Sequence, residues 1–236
     1  MDIALFSPDG LPFLFRWVHF MAGITWIGLL YYFNFVQVPF FGEAEAPVKT
    51  GAIQKLVPRA LWWFRWAAAL TFLTGLIIIL LKIAQGGGAV MSTSWGVSIS
   101  VGALLGTLMF LNVWLVIWPN QRVVIAKAKG EDTGGVDPVM AGNRAFIASR
   151  TNTLFSVPML FFMGAASHLT MFGTAPASKI GAALGVITVI IAFFEVNVFI
   201  GKKGAGLSAM LEKHVAVIHA GLALALLFYF IVDVLL

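Results

Sequence analysis

The sequence predicts an all-α membrane protein, a bundle of six transmembrane helices, and two observations carry that prediction. Hydrophobic residues make up 60% of the chain and charged residues only 11%, less than half of the roughly 25% typical of soluble domains. So few charges cannot cover a surface that faces water. Long apolar runs then recur along the whole chain, and 236 residues suit a single membrane domain of about six spans at roughly 20–25 residues each.

Each predicted element is an apolar run long enough to cross a bilayer. We expect no cleavable signal peptide, because the opening MDIALFSPDG has two Asp and no basic residue. Pro58, Pro119 and Pro176 are expected to mark helix ends, and the glycines at 86–88 and 134–135 to mark loops. The predicted spans are 11–41, 58–84, 95–118, 151–172, 177–200 and 214–236.

The basic residues predict how the bundle is oriented. Twelve of the fifteen Lys and Arg residues lie in or beside the connections that follow spans one, three and five, and only Arg16, Lys82 and Lys179 belong to the other side. Basic connections stay in the cytoplasm, so we expect both termini in the periplasm of a bacterial inner membrane. The net charge of +5 is explained in the same way and does not indicate nucleic-acid binding.

Two histidines are predicted at matching depth near the outer face. His19 lies early in span one and His168 late in span four, and those spans run in opposite directions. Gly23 and Gly164 lie one turn deeper, each on the face of its histidine. Neutral imidazoles on facing helices can be the two axial ligands of haem b, although each histidine can equally well hydrogen-bond a neighbouring helix. With no cysteine in the chain, iron–sulfur clusters, zinc–thiolate sites and covalent haem attachment are excluded.

A second polar group is predicted near the inner face. Asn112 lies late in span three, Arg150 and Asn152 open span four, and Glu195 lies late in span five. Such a group is either a pocket for a planar anion or a structural ion pair that fixes helix register. Arg150 is otherwise an interfacial residue whose charge reaches water. His214 and His219 open span six. The available partners for the Glu195 carboxylate are therefore Arg150, His214 and His219.

Several sequence strings resemble the bacterial membrane-bound urate oxidase (urate hydroxylase) family. They are 16–28 (RWVHFMAGITWIG), Asn112-Val113-Trp114, Trp118-Pro119-Asn120-Gln121, 149–160 (SRTNTLFSVPML), Phe162-Met163 with His168, and the triple glycine at 86–88. The first string is also similar, more distantly, to the first span of the haem-b protoporphyrinogen oxidases, in which a histidine binds haem.

The resemblance implies oxidation of urate in purine breakdown, with electrons passed to a C-terminal cytochrome c domain. This sequence ends at Leu236 with no such domain, so it resembles the membrane domain alone. We therefore expect a separate c-type cytochrome, or other membrane subunits, to accept the electrons. In this interpretation Arg150, Asn152 and Asn112 bind the anionic purine, Glu195 or His219 moves the proton, His19 and His168 hold haem b, and Arg16 pairs with a propionate.

Two other functions fit the sequence. One is a non-catalytic accessory or electron-transfer subunit of a larger respiratory or photosynthetic membrane complex, which the small size favours. The other is a small-solute transporter, although the chain shows no pair of interrupted helices in two repeated halves. Catalytic turnover by the isolated chain would distinguish an enzyme from a non-catalytic subunit.

Overall fold

The computed structural model describes residues 5, 7 and 10–236, and within that part of the chain every regular element is helical. The only strand-like pairing there is one isolated bridge between Thr93 and Thr174. Most of residues 1–9 lies outside the described residues, so the expected absence of a signal peptide does too. The elements are α1 (Gly10–Tyr31), a π-helical segment (Tyr32–Gln37), α2 (Val38–Glu43), α3 (Ala46–Gly86), a 3₁₀ turn (Gly88–Ser92), α4 (Ser94–Leu111), a second π-helical segment (Asn112–Ile117), α5 (Trp118–Lys129), α6 (Pro138–His168), α7 (Ala177–Ile200), α8 (Gly206–Glu212) and α9 (His214–Leu235).

Five helical stretches are long and apolar enough to cross a membrane, so the chain is a multi-pass membrane protein. They are Gly10–Glu43, Ala46–Gly86, Ser94–Lys129, Ala177–Ile200 and His214–Leu235. They include five of the six predicted spans. The remaining one corresponds to α6, which has 31 residues and a markedly more polar sequence.

Two of the three prolines expected at helix ends lie inside continuous helical stretches instead. Pro58 is an interior residue of α3, which begins at Ala46. Pro119 is the second residue of α5, just after the second π segment, and the helix runs on to Lys129. Only Pro176 precedes a helix start, that of α7. A proline does not end a helix when the turn before it can rearrange its hydrogen bonds.

Helix α6 also departs from its predicted bounds at both ends. It begins at Pro138, because the Asp137 carboxylate accepts hydrogen bonds from the backbone N–H groups of Val139 and Met140, at 3.0 and 3.4 Å. It ends at His168 rather than at Phe172. An aspartate followed by proline is a common helix start, so the sequence contained this signal, but it lies before the apolar run.

The centre of the bundle is α6, which packs against α1, α4, α5, α7, α8 and α9. Glycines bring two neighbours close to it. A methyl group added at Gly102 of α4 would lie 3.1 Å from Met163, and one at Gly221 of α9 would lie 2.8 Å from Val157. Helix α1 instead packs chiefly on α3. We call the end that carries the connections 44–45, 130–137 and 201–213 the basic end.

Candidate functional site

At the basic end, three of the predicted site residues form one hydrogen-bonded group, which we call the Asn–Glu network. The Asn112 side-chain amide donates to the Asn152 carbonyl oxygen at 3.0 Å and to a Glu195 carboxylate oxygen at 3.2 Å. Asn152 in turn donates to the backbone carbonyl of Met109 at 2.9 Å. Both asparagines are buried. The network therefore connects α6 and α7 to α4 and the π segment that follows it, through polar atoms that are hydrogen-bonded to one another.

Arg150 lies on a different side of α6. Successive residues of an α-helix are about 100° apart, so Arg150 and Asn152 point about 200° apart around the axis. The guanidinium group stacks near Phe146, at 5.1 Å from the ring centroid, and carries no ion pair within hydrogen-bonding range among the described residues. The structure thus divides the predicted polar group into two sites that flank α6.

Burial distinguishes Arg150 from an interfacial arginine. The residue is 2% exposed, whereas an interfacial arginine would extend its charge into water. Its Nε and Nη1 atoms are buried and have no hydrogen-bond partner in the protein. The charge of Glu212 acts favourably on this guanidinium from beyond ion-pair distance. The two buried nitrogens still lack an acceptor, which is unfavourable, so the guanidinium is suited to binding an anion.

Two side chains of the first π segment carry buried oxygens without partners, and one of these side chains bonds to the residue before Arg150. The Asn34 amide donates at 2.8 Å to the hydroxyl of Ser149, the residue before Arg150, and at 2.8 Å to the carbonyl of Leu30. The Asn34 side-chain oxygen and the Gln37 side-chain oxygen are both buried without a partner. We call Arg150, Asn34 and Gln37 the Arg150 site.

Asn34 and Gln37 were not among the predicted site residues, although the sequence contains a signal for them. Both are polar residues inside an otherwise apolar run, and the same criterion selected Asn112 and Glu195. Their depth near the inner end of span one also matches that of Arg150.

The two π segments have the same local cause. Tyr32–Gln37 ends before Val38-Pro39, and Asn112–Ile117 ends before Trp118-Pro119. In each, the residue before the proline donates its N–H five residues back, from Val38 to Phe33 and from Trp118 to Val113. The wider turn accommodates the proline, which has no N–H to donate. Each segment also directs an asparagine, Asn34 or Asn112, at α6, and such wide turns are frequent at functional sites.

His19, the first predicted haem ligand, is held by α3. Its Nδ1 lies 3.1 Å from the Thr74 hydroxyl, and its ring sits against Gly75, where an added methyl group would be 3.0 Å from Cε1. Thr74 already donates its proton to the Leu70 carbonyl at 2.7 Å. When Thr74 donates to this carbonyl, its hydroxyl can only accept from Nδ1–H. In the neutral ring Nε2 is then unprotonated, which is the form that binds a metal.

The structure gives His168 no comparable support. It is the last residue of α6, is exposed, and makes no hydrogen bond or ring contact among the described residues. Gly164 is exposed with open space around its Cα, while Gly23 faces Thr71 at an ordinary contact distance of 3.9 Å. Arg16 is exposed as well. The described residues contain no cluster of three or more His, Asp or Glu able to hold a metal ion.

His219 is also separate from the Asn–Glu network. Its ring is exposed, and Nδ1 lies 2.8 Å from the Val215 carbonyl of its own helix. No hydrogen bond connects it to Glu195 in the part of the chain that the structure describes. The His214 ring lies 6.4 Å from that of Phe35 in the first π segment.

Comparison with known families identifies one match. The family model described as "Urate oxidase N-terminal" matches residues 83–227, which is more than half of the chain and includes α4 to α8 entirely, with most of α9. No curated protein and no solved structure is similar enough to the chain to match it. The matched region contains Asn112, Arg150, Asn152 and Glu195, and on this evidence the chain belongs to the urate oxidase N-terminal family.

Proposed function

We propose that the chain is an integral-membrane oxidoreductase that oxidises urate or a closely related purine, using the Arg150 site to bind the substrate anion. The observation that carries this proposal is the buried Arg150 guanidinium, two of whose nitrogens have no partner in the protein. Urate is a planar anion that carries both carbonyl oxygens and N–H groups. Arg150 would donate to its oxygens, while Asn34 and Gln37 would accept from its N–H groups.

Around this site we propose six spans with both termini periplasmic, in the inner membrane of a bacterium. Helix α6 is then also a span, the fourth in chain order, and its neighbours shield it from lipid, which explains why a more polar sequence is tolerated there. In this orientation the basic end, the Asn–Glu network and the Arg150 site all face the cytoplasm.

Within this proposal the Asn–Glu network serves a second purpose beside binding. Glu195 lies on the opposite side of α6 from Arg150, so it would not touch a purine held at the Arg150 site. It would receive the substrate's proton only through intervening water molecules, with Asn112 and Asn152 orienting its carboxyl group. Asn112 and Asn152 then position Glu195 rather than contact the purine, and His219 takes no part in the network.

Haem b, with His19 and His168 as its ligands, remains part of the proposal, and the fit differs between the two residues. His19 suits a ligand, because its Nδ1 proton is bound by Thr74 and Nε2 is available. His168 gives no such support. Bound haem would carry electrons toward a separate c-type cytochrome. The test is the visible spectrum of the purified, dithionite-reduced protein: His19→Ala and His168→Ala should abolish a low-spin haem signal, while His214→Ala should keep it.

The substrate proposal is tested by urate consumption in membranes that contain the chain, with a soluble c-type cytochrome as electron acceptor. Arg150→Gln should reduce the rate at least about 100-fold, because it removes two charge-assisted hydrogen bonds. Arg144→Gln is the matched control, since Arg144 is an exposed arginine on the same helix. A wild-type rate in Arg150→Gln would contradict the proposal.

A further inference from the structure

A second group of arginines at the basic end faces the outside of the bundle and has no counter-charge. Arg65 of α3 stacks on the Trp118 ring, with its guanidinium carbon 3.8 Å from the ring centroid, and also lies 5.7 Å from the Trp114 centroid. Its Nε atom is buried and has no hydrogen-bond partner. The backbone carbonyl of Arg65 accepts a hydrogen bond from the Trp114 indole at 3.2 Å, which fixes α3 against the second π segment.

Arg122 adds a second positive charge to this group. It lies one helical turn after Trp118, hence on the same face of α5, and its charge acts unfavourably on that of Arg65. The described residues contain one ion pair, between Lys129 and Glu131, so neither arginine is paired with a carboxylate. Two neighbouring guanidinium groups without an anion are stabilised when a negatively charged group binds between them.

The surface beside these arginines is apolar and open. Trp62 and Trp66 are each 48% exposed. The ring centroid of Trp66 lies 5.3 Å from that of Trp114. Leu70 and Leu73 continue the stripe along α3 at 44% and 53% exposure. Residues 66, 70 and 73 share one face of the helix, so the stripe runs from the arginines toward the middle of the bilayer.

We propose that Arg65 and Arg122 bind the phosphate of an anionic phospholipid, whose acyl chains lie along the Trp66–Leu70–Leu73 stripe. The charge, the planar donors and the adjacent apolar stripe match the two parts of such a lipid. Indole rings favour the interface between headgroups and acyl chains, and basic pockets between membrane helices bind anionic headgroups. A free phosphate ion would use the arginines alone and leave the stripe without a role.

Native mass spectrometry of the detergent-purified full chain tests this proposal. Phosphatidylglycerol and phosphatidylcholine with identical acyl chains are added at equal concentration, and inorganic phosphate is added in a separate arm. We expect phosphatidylglycerol to bind the wild type and the double variant Arg65→Gln/Arg122→Gln to bind it at least about tenfold more weakly. The control Lys127→Gln/Arg144→Gln removes two exposed charges and should bind like the wild type.

Three results would overturn the proposal. They are equal binding of phosphatidylcholine, unchanged binding by the double variant, and complete displacement of the lipid by inorganic phosphate. If the double variant does not fold, Arg122→Gln decides the question, because Arg122 is exposed and its loss should spare the fold while weakening phosphatidylglycerol several-fold. The measurement is independent of purine oxidation, so it can fail or succeed without changing the proposed function.

Discussion

The two polar sites that flank α6 contain similar residues but differ in whether their polar atoms have hydrogen-bond partners. In the Asn–Glu network the side chains of Asn112, Asn152 and Glu195 bind one another. In the Arg150 site, two guanidinium nitrogens and the side-chain oxygens of Asn34 and Gln37 are buried without partners. A satisfied polar group inside a bundle fixes helix positions, whereas an unsatisfied one costs stability that a ligand recovers on binding.

The two sites also differ in their expected roles: the Asn–Glu network positions α6, whereas the Arg150 site binds the ligand. The network connects three helices and so determines where α6 lies, which in turn determines where Arg150 lies. Substitutions in the network should therefore alter stability first, while substitutions at the Arg150 site should alter ligand binding first.

The largest effect is expected from Arg150→Met, which removes the charge and keeps most of the volume. Urate binding should weaken at least about 100-fold, while the thermal stability of the ligand-free protein should be unchanged or higher, because two buried donor nitrogens without hydrogen-bond partners are lost. Isothermal titration and thermal unfolding of the purified protein measure the two quantities. A lower melting temperature with intact urate binding would make Arg150 a structural residue and remove the contrast.

Asn152→Leu should have the opposite profile. It removes the acceptor for Asn112 and the donor to the Met109 carbonyl, so we expect a loss of about 1–2 kcal/mol in the free energy of unfolding. The double variant Asn112→Leu/Asn152→Leu should be less destabilised than the sum of the two single variants, because the partners are coupled. Denaturant unfolding in detergent measures all three, and strict additivity would argue against the network.

Glu195→Gln examines the role of the charge inside the network. A side-chain amide still offers Asn112 an acceptor oxygen, so the free energy of unfolding should change by less than about 1 kcal/mol. Urate turnover should nevertheless fall, because an amide cannot accept the proton. Turnover at the wild-type rate would leave Glu195 a purely structural member of the network.

The smallest effect on the protein is expected from two single cysteines, which test where both sites face. The chain has no native cysteine, and Gly88 and Asp132 are exposed at opposite ends of the bundle. Gly88→Cys should react with an impermeant thiol reagent in cells whose outer membrane is permeable to it, and Asp132→Cys only after the inner membrane is opened. The reverse pattern would place both polar sites on the periplasmic side.

The sequence was sufficient for the fold class and for most helix positions, because apolar runs determine both. The predicted bounds of the last two spans match α7 and α9 within a residue. The helix ends predicted at Pro58 and Pro119 were wrong. Hydropathy does not show that a helix can continue past a proline, with or without a wider turn before it. The early start of α6 was missed because it lies in a polar stretch.

For the polar residues, depth in the bundle was easier to predict than which of them lie together. Depth along a helix follows from residue count, so Asn112, Asn152 and Glu195 were correctly expected at one level. The direction of a side chain around its helix axis depends on which neighbours surround that helix, and packing decides this. Packing therefore decides three features that could not be predicted: the separation of Arg150 from Asn152, the exposure of His219 and the contact of His19 with Thr74.

The position of α6 has a consequence for how the chain is made. A helix enters the membrane alone when its own residues favour lipid over water, and α6 is the long helix that does not meet that criterion. Of the two helices that α6 packs against most, α4 is synthesised before α6, whereas α9 is synthesised last. We expect insertion of α6 to be delayed until later helices emerge from the ribosome, so that a chain truncated after residue 200 would be degraded faster than the full chain.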